Sequence, residues 1–392
     1  MMYTGINSDF DLNFIEHTGQ IDWSRPYGKQ HKLDIGAKYI FRDNHSKNSR
    51  EYVGSHSTFD DFVHRTSIGA AYADYRVTFG RFSARAGLRY EFSRLSAKFK
   101  AGEGSDFGSN LSDFAPNVAL SWNVDDANSL KISYSRRIAR PGISYLDPTV
   151  NESPNATHQG NPHLNSASQN SINLNYGLIK SKINVNANLR FDFSNDQIGS
   201  LKWYEGLHSY STFANINHYR NVELSGYMQW SPGSKTTIML NLSVGYQHYR
   251  YPTEGLSLSR WSYSPYLYVM QRLPWKLRIN GAAGMWNGMI SGVYGYMDNP
   301  LSSMWHQISL QRSFLKEDRL TIGITASNPF GPSTSESRFR SVNADYTGTS
   351  TSYQLHRRSV GLSIGYRFGS LNVFVKKTAA SIDNDDLTGR KQ

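Results

Sequence analysis

Two histidines in one short segment are the first residues of this sequence whose type and spacing suggest chemistry. His158 and His163 stand five positions apart in HQGNPH, and a histidine pair is a common beginning of a metal site. No pattern of acidic residues accompanies them, so a turn shaped by Gly160 and Pro162 is favoured over a metal centre. The sequence contains no HExxH or GxxxxGK[ST] motif, and it has no cysteine for thiol chemistry. We therefore predict neither an enzyme nor a bound cofactor.

Three arginines form a second candidate site. The segment YSRRIARP places Arg136, Arg137 and Arg140 at the end of a predicted strand. Arginine binds phosphate groups through paired N–H donors, so Arg136 and Arg140 are candidates for phosphate contacts, and Arg137 should point to the opposite face. A solvated strand end without any ligand is favoured over a phosphate site, because charged side chains are usually exposed.

Amide side chains form the most regular polar pattern in the chain. The segment INVNANLRFDF alternates apolar and polar residues without a miss, and SINLNYGL and TIMLNLSVGY do the same. Successive side chains of a strand point to opposite faces, so this period of two predicts strands with one apolar face and one polar face. The polar positions, which we predict to line a wet interior, are Asn173, Asn175, Asn184, Asn186, Asn188, Arg190, Asp192 and Asn241.

The connections between these segments separate two architectures. A soluble β-sandwich would hide the apolar face, whereas a transmembrane barrel would show it to lipid. Short connections lie at 25–30, 78–81, 123–129, 177–182, 231–235, 272–276 and 315–319, and they alternate with longer ones at 43–62, 98–113, 141–167, 200–209, 251–257, 293–303 and 328–351. Strict alternation predicts strands that run up and down through one slab, with tight turns on one side. About fifteen segments result, many of them longer than the ~5–6 residues usual for soluble strands.

Composition agrees with a barrel and excludes other classes. Apolar runs fall far short of the ~18 residues that a membrane helix needs, yet aromatic residues make up 13% of the chain. The net charge of +11 is spread over strand ends and loops rather than gathered in basic runs. The sequence therefore predicts an all-β, antiparallel, up-and-down transmembrane barrel with no nucleic-acid partner.

Longer motifs carry a family resemblance. The stretch LKISYSRRIARPGISYLDPTVNESPNATHQGNPHLNSASQNSINLNYG (130–177) resembles a recurrent part of TonB-dependent outer-membrane receptors. The segment GRFSARAGLRYE (80–91) and the ending VGLSIGYRFGSLNVFVKKTAASIDNDD are similar to receptor-like outer-membrane β-barrel proteins. The order of these motifs extends the resemblance over nearly the whole chain.

The resemblance implies a barrel of twenty-two strands around a plug domain, energised by the TonB complex to import a scarce nutrient. This sequence departs from that pattern, because strand patterning already runs from Leu12 to Asp22 and no signal peptide, TonB box or plug precedes it. We interpret 1–369 as the last fifteen or so strands of such a barrel, without a plug in this chain. Residues 370–392 are then expected to form a polar periplasmic tail.

Particular residues acquire roles from the same resemblance. Arg136 and Arg140 become candidates for contacts with lipopolysaccharide at the outer rim. The last apolar strand ends in Tyr366 and Phe368, as in closing strands that the barrel assembly machinery reads. Ligand contacts are expected from the loops at 200–210, 251–263 and 328–351.

The leading hypothesis is the barrel part of a TonB-dependent receptor that imports an unidentified nutrient across the outer membrane of a Gram-negative bacterium. Its expected partners are outer-membrane lipid and lipopolysaccharide, a plug domain, the TonB complex and the assembly machinery. A passive or structural barrel without TonB coupling is the first alternative. A soluble carbohydrate-binding β protein is the second, based on the content of Trp, Tyr and Asn.

Overall fold

A computed structural model describes residues 5–54, 56–102, 106–148, 150–290, 292–342, 347–354, 358–368 and 387–388. About three quarters of them lie in β-strands, as the alternating sequence pattern predicts. Within these ranges no helix has the length and apolar character needed to cross a membrane.

The chain forms long antiparallel strands joined mostly by hairpins. Their bounds are β1 (Ile6–Tyr27), β2 (His31–Tyr52), β3 (Ser57–Phe79), β4 (Phe82–Ala101), β5 (Phe107–Asn123), β6 (Asn128–Pro141), β7 (Asn151–Ser153), β8 (Ala156–His158), β9 (Ala167–Lys180), β10 (Ile183–Glu205), β11 (His208–Trp230), β12 (Thr236–Tyr251), β13 (Leu256–Tyr263), β14 (Tyr266–Arg272), β15 (Leu277–Gly284), β16 (Gly295–Asp298), β17 (Trp305–Phe314), β18 (Leu320–Ser327), β19 (Ser335–Val342), β20 (Thr347–Gln354), β21 (Ser359–Tyr366) and β22 (Leu387–Thr388). One helical turn, α1 (Ile143–Leu146), and two 3₁₀ turns, Leu301–Ser303 and Lys316–Asp318, complete the described elements.

Sixteen of these elements, in the part of the chain that the structure describes, make one up-and-down sheet of fifteen strands in which each strand pairs with the next. The order is β1–β6, β9–β12, the interrupted strand β13/β14, β15, β17, β18 and β21. Strands β13 and β14 both pair with β12 and count as one strand, which Ser264 and Pro265 interrupt. Proline has no N–H to donate to the ladder, which explains the break. The antiparallel up-and-down architecture is confirmed.

The register keeps one apolar face continuous across the sheet. One row joins Leu120, Ile132, Leu174, Leu189 and Leu224 through direct pairing of their strands. All five side chains are substantially exposed, up to 54% for Leu120. Exposed apolar area on this scale requires an apolar environment, since soluble monomers rarely carry large apolar patches. We call this surface the apolar face and its opposite the polar face.

Exposed aromatic side chains collect where the strands meet the tight turns. Phe82 and Trp122 stack with their ring centroids 5.6 Å apart. Trp23, Phe79 and Trp230 share this end of the sheet, which we call the short-turn end, and are likewise exposed. Aromatic rings at one level of an apolar band are typical of a membrane–water interface.

The strands continue far beyond the apolar band at the other end of the sheet, the long-loop end. Four of the connections predicted to be long are hairpin tips: the strands leave only 53–56, 102–106, 206–207 and 252–255 between them. Sequence interpretation placed these strand ends in loops because their residues are polar. The hydrogen-bonded ladder nevertheless persists there, since water can solvate both faces of a hairpin outside lipid. Long connections remain at 142–166, 285–304 and 328–358.

The described sheet has two open edges. Strand β1 pairs only with β2, and β21 pairs only with β18, among the described residues. Both faces of β21 and most of β1 are exposed. Of the predicted tail at 370–392, only Leu387–Thr388 is described, as a short parallel pairing with Arg140 and Pro141. The predicted division into barrel and tail therefore stays a prediction.

Candidate functional site

Residues 142–166, the inward loop, fold across the polar face at the long-loop end. The guanidinium of Arg50 on β2 donates a hydrogen bond of 3.1 Å to the carbonyl of Val150. On the other side of the loop, β8 pairs in parallel with Ser209–Ser211 of β11. The Asn161 amide extends this docking by donating to the Phe213 carbonyl at 2.8 Å. The loop therefore links strands that are far apart in the sheet.

The two arms of the inward loop hold each other through backbone hydrogen bonds. The N–H of Gly160 donates to the carbonyl of Asp147 at 2.9 Å, and the N–H of Asn161 donates to the carbonyl of Tyr145 at 2.7 Å. A Cβ atom at position 160 would lie 2.3 Å from the Asp147 carbonyl oxygen. Only glycine permits this approach, which explains the glycine of the HQGNPH segment.

A small apolar cluster packs the loop onto the sheet. Leu146 and Leu164 of the inward loop bury against Leu95 and Leu111 of β4 and β5. The rings of Tyr145 and Phe213 lie beside this cluster with centroids 4.3 Å apart. Burial of apolar area stabilises such docking by roughly 25 cal/mol per Å².

Arg140 is buried inside the protein rather than exposed at the outer rim, which corrects the prediction. This side chain is 2% exposed, forms an ion pair with Glu91, and donates to the Ser93 hydroxyl at 3.1 Å. Asp113 lies 3.5 Å from the same guanidinium. A buried arginine that is paired within the chain cannot present its donors to lipopolysaccharide. The ladder between β5 and β6 ends at Ser135, and beyond it Arg140 lies against Glu91 and Ser93 of β4.

The histidines of HQGNPH are separated by their local structure. The Nδ1 of His158 lies 3.0 Å from the Ser211 hydroxyl, and burial lowers the pKa of this imidazole. His163 stands in the following turn, where its backbone N–H is bound by the Asn161 side chain. No group of three or more His, Cys, Asp or Glu side chains with metal-binding geometry occurs in the described ranges.

The predicted polar positions share one face of β9 to β12. Arg190 forms ion pairs with Asp192 at 3.0 Å and Glu223 at 2.7 Å. Asn175 and Asn186 form an amide pair at 3.1 Å. The register puts Asn173 opposite Arg190, Asn175 opposite Asn188, Asn184 opposite Gln229, and Asn241 opposite Tyr227. We call these residues on one face the polar network, and its predicted role as a lumen lining remains a prediction.

The remaining predicted residues lie apart from this network. Arg136 is half-buried opposite Asn170 on β9, and its lipopolysaccharide contact stays a prediction. Tyr366 and Phe368 at the end of β21 are exposed, with their ring centroids 4.6 Å apart. Gly361, Ser363 and Gly365 have the spacing of a nucleophile elbow, but they lie in mid-strand rather than at a strand-to-helix turn.

A cavity of about 450 Å³ lies at the long-loop end, between the sheet and three loops. Strands β10, β11 and β12 provide one wall, and the inward loop and the loops at 285–304 and 328–358 provide the others. Six aromatic rings line it: Tyr145, Tyr204, Phe213, Tyr249, Tyr294 and Phe339. Its volume falls within the ~300–1,000 Å³ usual for small-molecule sites.

Two amide side chains enter this cavity from neighbouring strands. Gln197 on β10 and Asn217 on β11 are register partners beside a β-bulge. Neither residue is among the predicted polar positions, although the polar run SNDQ after Phe193 interrupts the alternation and marks the bulge. Bulges are frequent next to functional sites because they redirect side chains.

Comparisons with known proteins identify a family and several solved structures with a similar fold. The family model for the outer membrane protein beta-barrel family matches residues 4–366. Three solved structures with this fold are copper transporter OprC (TM-score 0.66, 10% identity), ferric citrate transporter FecA in its unliganded form (0.66, 11%) and the ferric yersiniabactin uptake receptor FyuA from Yersinia pestis (0.62, 10%). A search of curated proteins gave no match.

Coverage is unequal in these structural matches. Each covers 93% of this chain but only 59%, 55% and 56% of OprC, FecA and FyuA, respectively, so the chain spans less than two thirds of their length. At these low identities the likeness concerns the fold, and in fold the predicted resemblance to TonB-dependent receptors is confirmed. By its family match and its architecture, the chain belongs to the outer membrane protein beta-barrel family and resides in the outer membrane of Gram-negative bacteria.

Proposed function

We propose that this chain forms the barrel part of a receptor that takes up a small nutrient and draws energy from the TonB complex. The observation that carries the proposal is the arrangement at the long-loop end. There an inward-folded loop and an aromatic cavity lie on the polar side of a sheet whose other side is apolar and exposed. This arrangement suits capture of a solute outside the membrane, followed by its release into a polar interior.

The polar network of β9 to β12 fits the proposed interior. Arg190 forms ion pairs with Asp192 and Glu223, so these three charged side chains together carry a net charge of only −1. Paired charges and amides keep a wet surface attractive to polar solutes without trapping one charged species. We infer that a plug domain would contact this network, and that lipopolysaccharide would surround the apolar face.

The test compares a deletion strain with its parent on media that are each limited for one nutrient: iron as ferric citrate, copper, or one oligosaccharide as carbon source. We expect the deletion strain to grow more slowly on at least one medium, and the full-length gene to restore growth. Uptake of that nutrient should stop when a protonophore collapses the proton-motive force. Uptake that persists under the protonophore would favour the passive barrel, and equal growth on every medium would contradict uptake by either route.

A further inference from the structure

Two unsatisfied amides dominate the chemistry of the cavity between β10, β11 and the three loops. The side-chain oxygens of Gln197 and Asn217 are both buried and accept no hydrogen bond from the described residues. Asn217 is only 6% exposed, so water has little access to its amide. Buried acceptors without donors are rare because they are costly, and on the wall of a cavity a bound ligand can supply the missing donors.

The pairing of Gln197 with Asn217 limits how far apart the hydrogen-bond donors of a ligand can lie. Gln197 and Asn217 are direct cross-strand partners, so their side chains leave neighbouring backbone positions about 5 Å apart. Two donors on adjacent atoms of one ligand fit this spacing. Vicinal hydroxyl groups both donate and accept, so they can satisfy an amide in either orientation.

The charge of the cavity indicates a neutral ligand. Lys202 is the one charged residue among the described side chains that line it. Anionic chelates and phosphates are usually held by several arginine or lysine side chains. A single lysine in the lining of an aromatic cavity does not provide that.

The aromatic walls suit a flat ligand with apolar C–H groups. Tyr145 of the inward loop and Phe213 of β11 present adjoining rings. Tyr249 lies on the same sheet wall as Phe213, and Phe339 comes from the loop at 328–358. The faces of aromatic rings carry partial negative charge and attract the positive edges of C–H groups. A sugar ring offers such C–H faces together with vicinal hydroxyls on its rim.

We propose that this cavity binds one ring of a neutral oligosaccharide, with vicinal hydroxyls on Gln197 and Asn217 and a C–H face against the aromatic walls. The inference rests on the proposed uptake function, whose ligand class it specifies. It concerns binding, so it can be measured without transport.

The experiment uses the full-length protein purified in detergent from outer membranes and titrated calorimetrically. The probes are di- to tetrasaccharides of glucose, galactose, mannose and xylose, their uronic-acid counterparts, and ferric citrate. We expect at least one neutral series to bind and its uronic-acid counterpart to bind more weakly. The Asn217→Leu variant should raise the Kd of the neutral sugar by about tenfold, as loss of one or two hydrogen bonds predicts.

The matched control is Gln229→Leu, which removes an amide from the short-turn end of the same strand. It should leave the Kd unchanged. Monodeoxy analogues of the best sugar test the same contacts on unaltered protein, so a folding defect in the Asn217 variant would not obscure the result. One deoxy position should lower affinity in the parent protein and have no further effect in Asn217→Leu.

The outcomes separate this inference from the proposed function. Absence of binding by every neutral sugar, or tighter binding of ferric citrate that Asn217→Leu weakens, would overturn the inference. Energised uptake of another nutrient could still stand in that case. Conversely, sugar binding that depends on Asn217 in a protein without energised uptake would retain the site and refute the transport proposal.

Discussion

Buried charges on the polar face are held by specific partners rather than by solvent. Arg140 is the clearest case, because its guanidinium contacts Glu91, Ser93 and Asp113 while almost fully buried. Burial of charge is tolerated only where the partners are complete, since each ion gives up its hydration. The ion-paired guanidinium therefore contributes to stability mainly by neutralising two carboxylates.

Replacing Arg140 by alanine should destabilise the folded barrel by about 3–5 kcal/mol, because it leaves buried carboxylates without a counter-charge. The measurement is urea unfolding of the protein in lipid vesicles. Arg319→Ala is the control, since Arg319 and Glu317 form an exposed pair, worth about 0–1 kcal/mol. Combining Arg140→Met with Glu91→Gln should recover much of the loss. Equal effects of the two single alanine variants would refute the assigned role of Arg140.

The sequence predicts which side chains share a face but not which of them meet. Alternation placed Asn173, Arg190 and Asp192 together, and the register agrees. It could not pair Arg140 with Glu91, because these residues are 49 positions apart and meet only through the path of β6 beyond Ser135. Gln197 and Asn217 could not be predicted for a similar reason, because a bulge is defined by the register of the strand with its partner.

At the scale of elements, the inward loop depends on one glycine. Valine at position 160 would collide with the Asp147 carbonyl and should release the loop while the strands stay intact. Limited proteolysis of whole cells should then cut within 150–159, with the folded barrel still migrating as such on gels. Gly233→Val is the control, because a Cβ at that turn position meets nothing within 4 Å. Equal protease resistance in both variants would argue against the docked loop.

Docking of the same loop should also depend on pH through His158. Burial lowers the pKa of this imidazole in the docked loop below its ordinary value of 6.5, so the undocked loop binds the proton more readily. Stability of docking is therefore complete above the ordinary pKa and declines as the pH falls below it. A spin label at Glu152 should become more mobile between about pH 8 and about pH 5. His158→Gln should abolish that change, and a pH response that survives in this variant would assign it to another group.

Strand number was accessible from sequence, whereas strand ends were not. Gly, Pro, Asn and Asp are typical of tight turns, so the positions of the turns at the short-turn end could be predicted. At the long-loop end, segments such as SKNSREYVGSHS resemble loops in composition, yet β2 and β3 remain paired as far as Glu51 and Ser57. Polar composition indicates only that a segment contacts water. A hairpin that projects into water has the same composition as a loop, so composition does not show where the strands end.

At the scale of the whole molecule, the two faces of the sheet should respond oppositely to charge. Leu224→Lys places an ammonium group on the apolar face and should cost about 2–4 kcal/mol in a bilayer. Ser225→Lys is its neighbour on the polar face, beside Asn188 and Ser243, and should cost much less. Vesicle unfolding of both variants measures the difference. Equal costs, or a reversed order, would contradict contact of the apolar face with lipid.

Sheet edges set a second condition for the molecule in lipid. Unpaired N–H and C=O groups cost several kcal/mol each in hydrocarbon, so the edges of β1 and β21 require partners there. The two edges are unequal, with 22 residues in β1 and 8 in β21. Pairing β1 with β21 would leave most of β1 without ladder partners.

The inward loop also constrains the geometry of the barrel wall. Between β2 and β11 the sheet contains seven strand intervals, an arc of roughly 34 Å at about 4.8 Å per interval. The loop spans the same two strands by a much shorter path. Arg50 of β2 binds Val150, the paired residues Asn151 and His158 lie about 5 Å apart, and His158 pairs with Ser211 of β11. A chord much shorter than its arc is possible only on a tightly curved surface. The loop therefore acts as a tie that sets the radius of the wall, and the width of the opening at this end follows from its length.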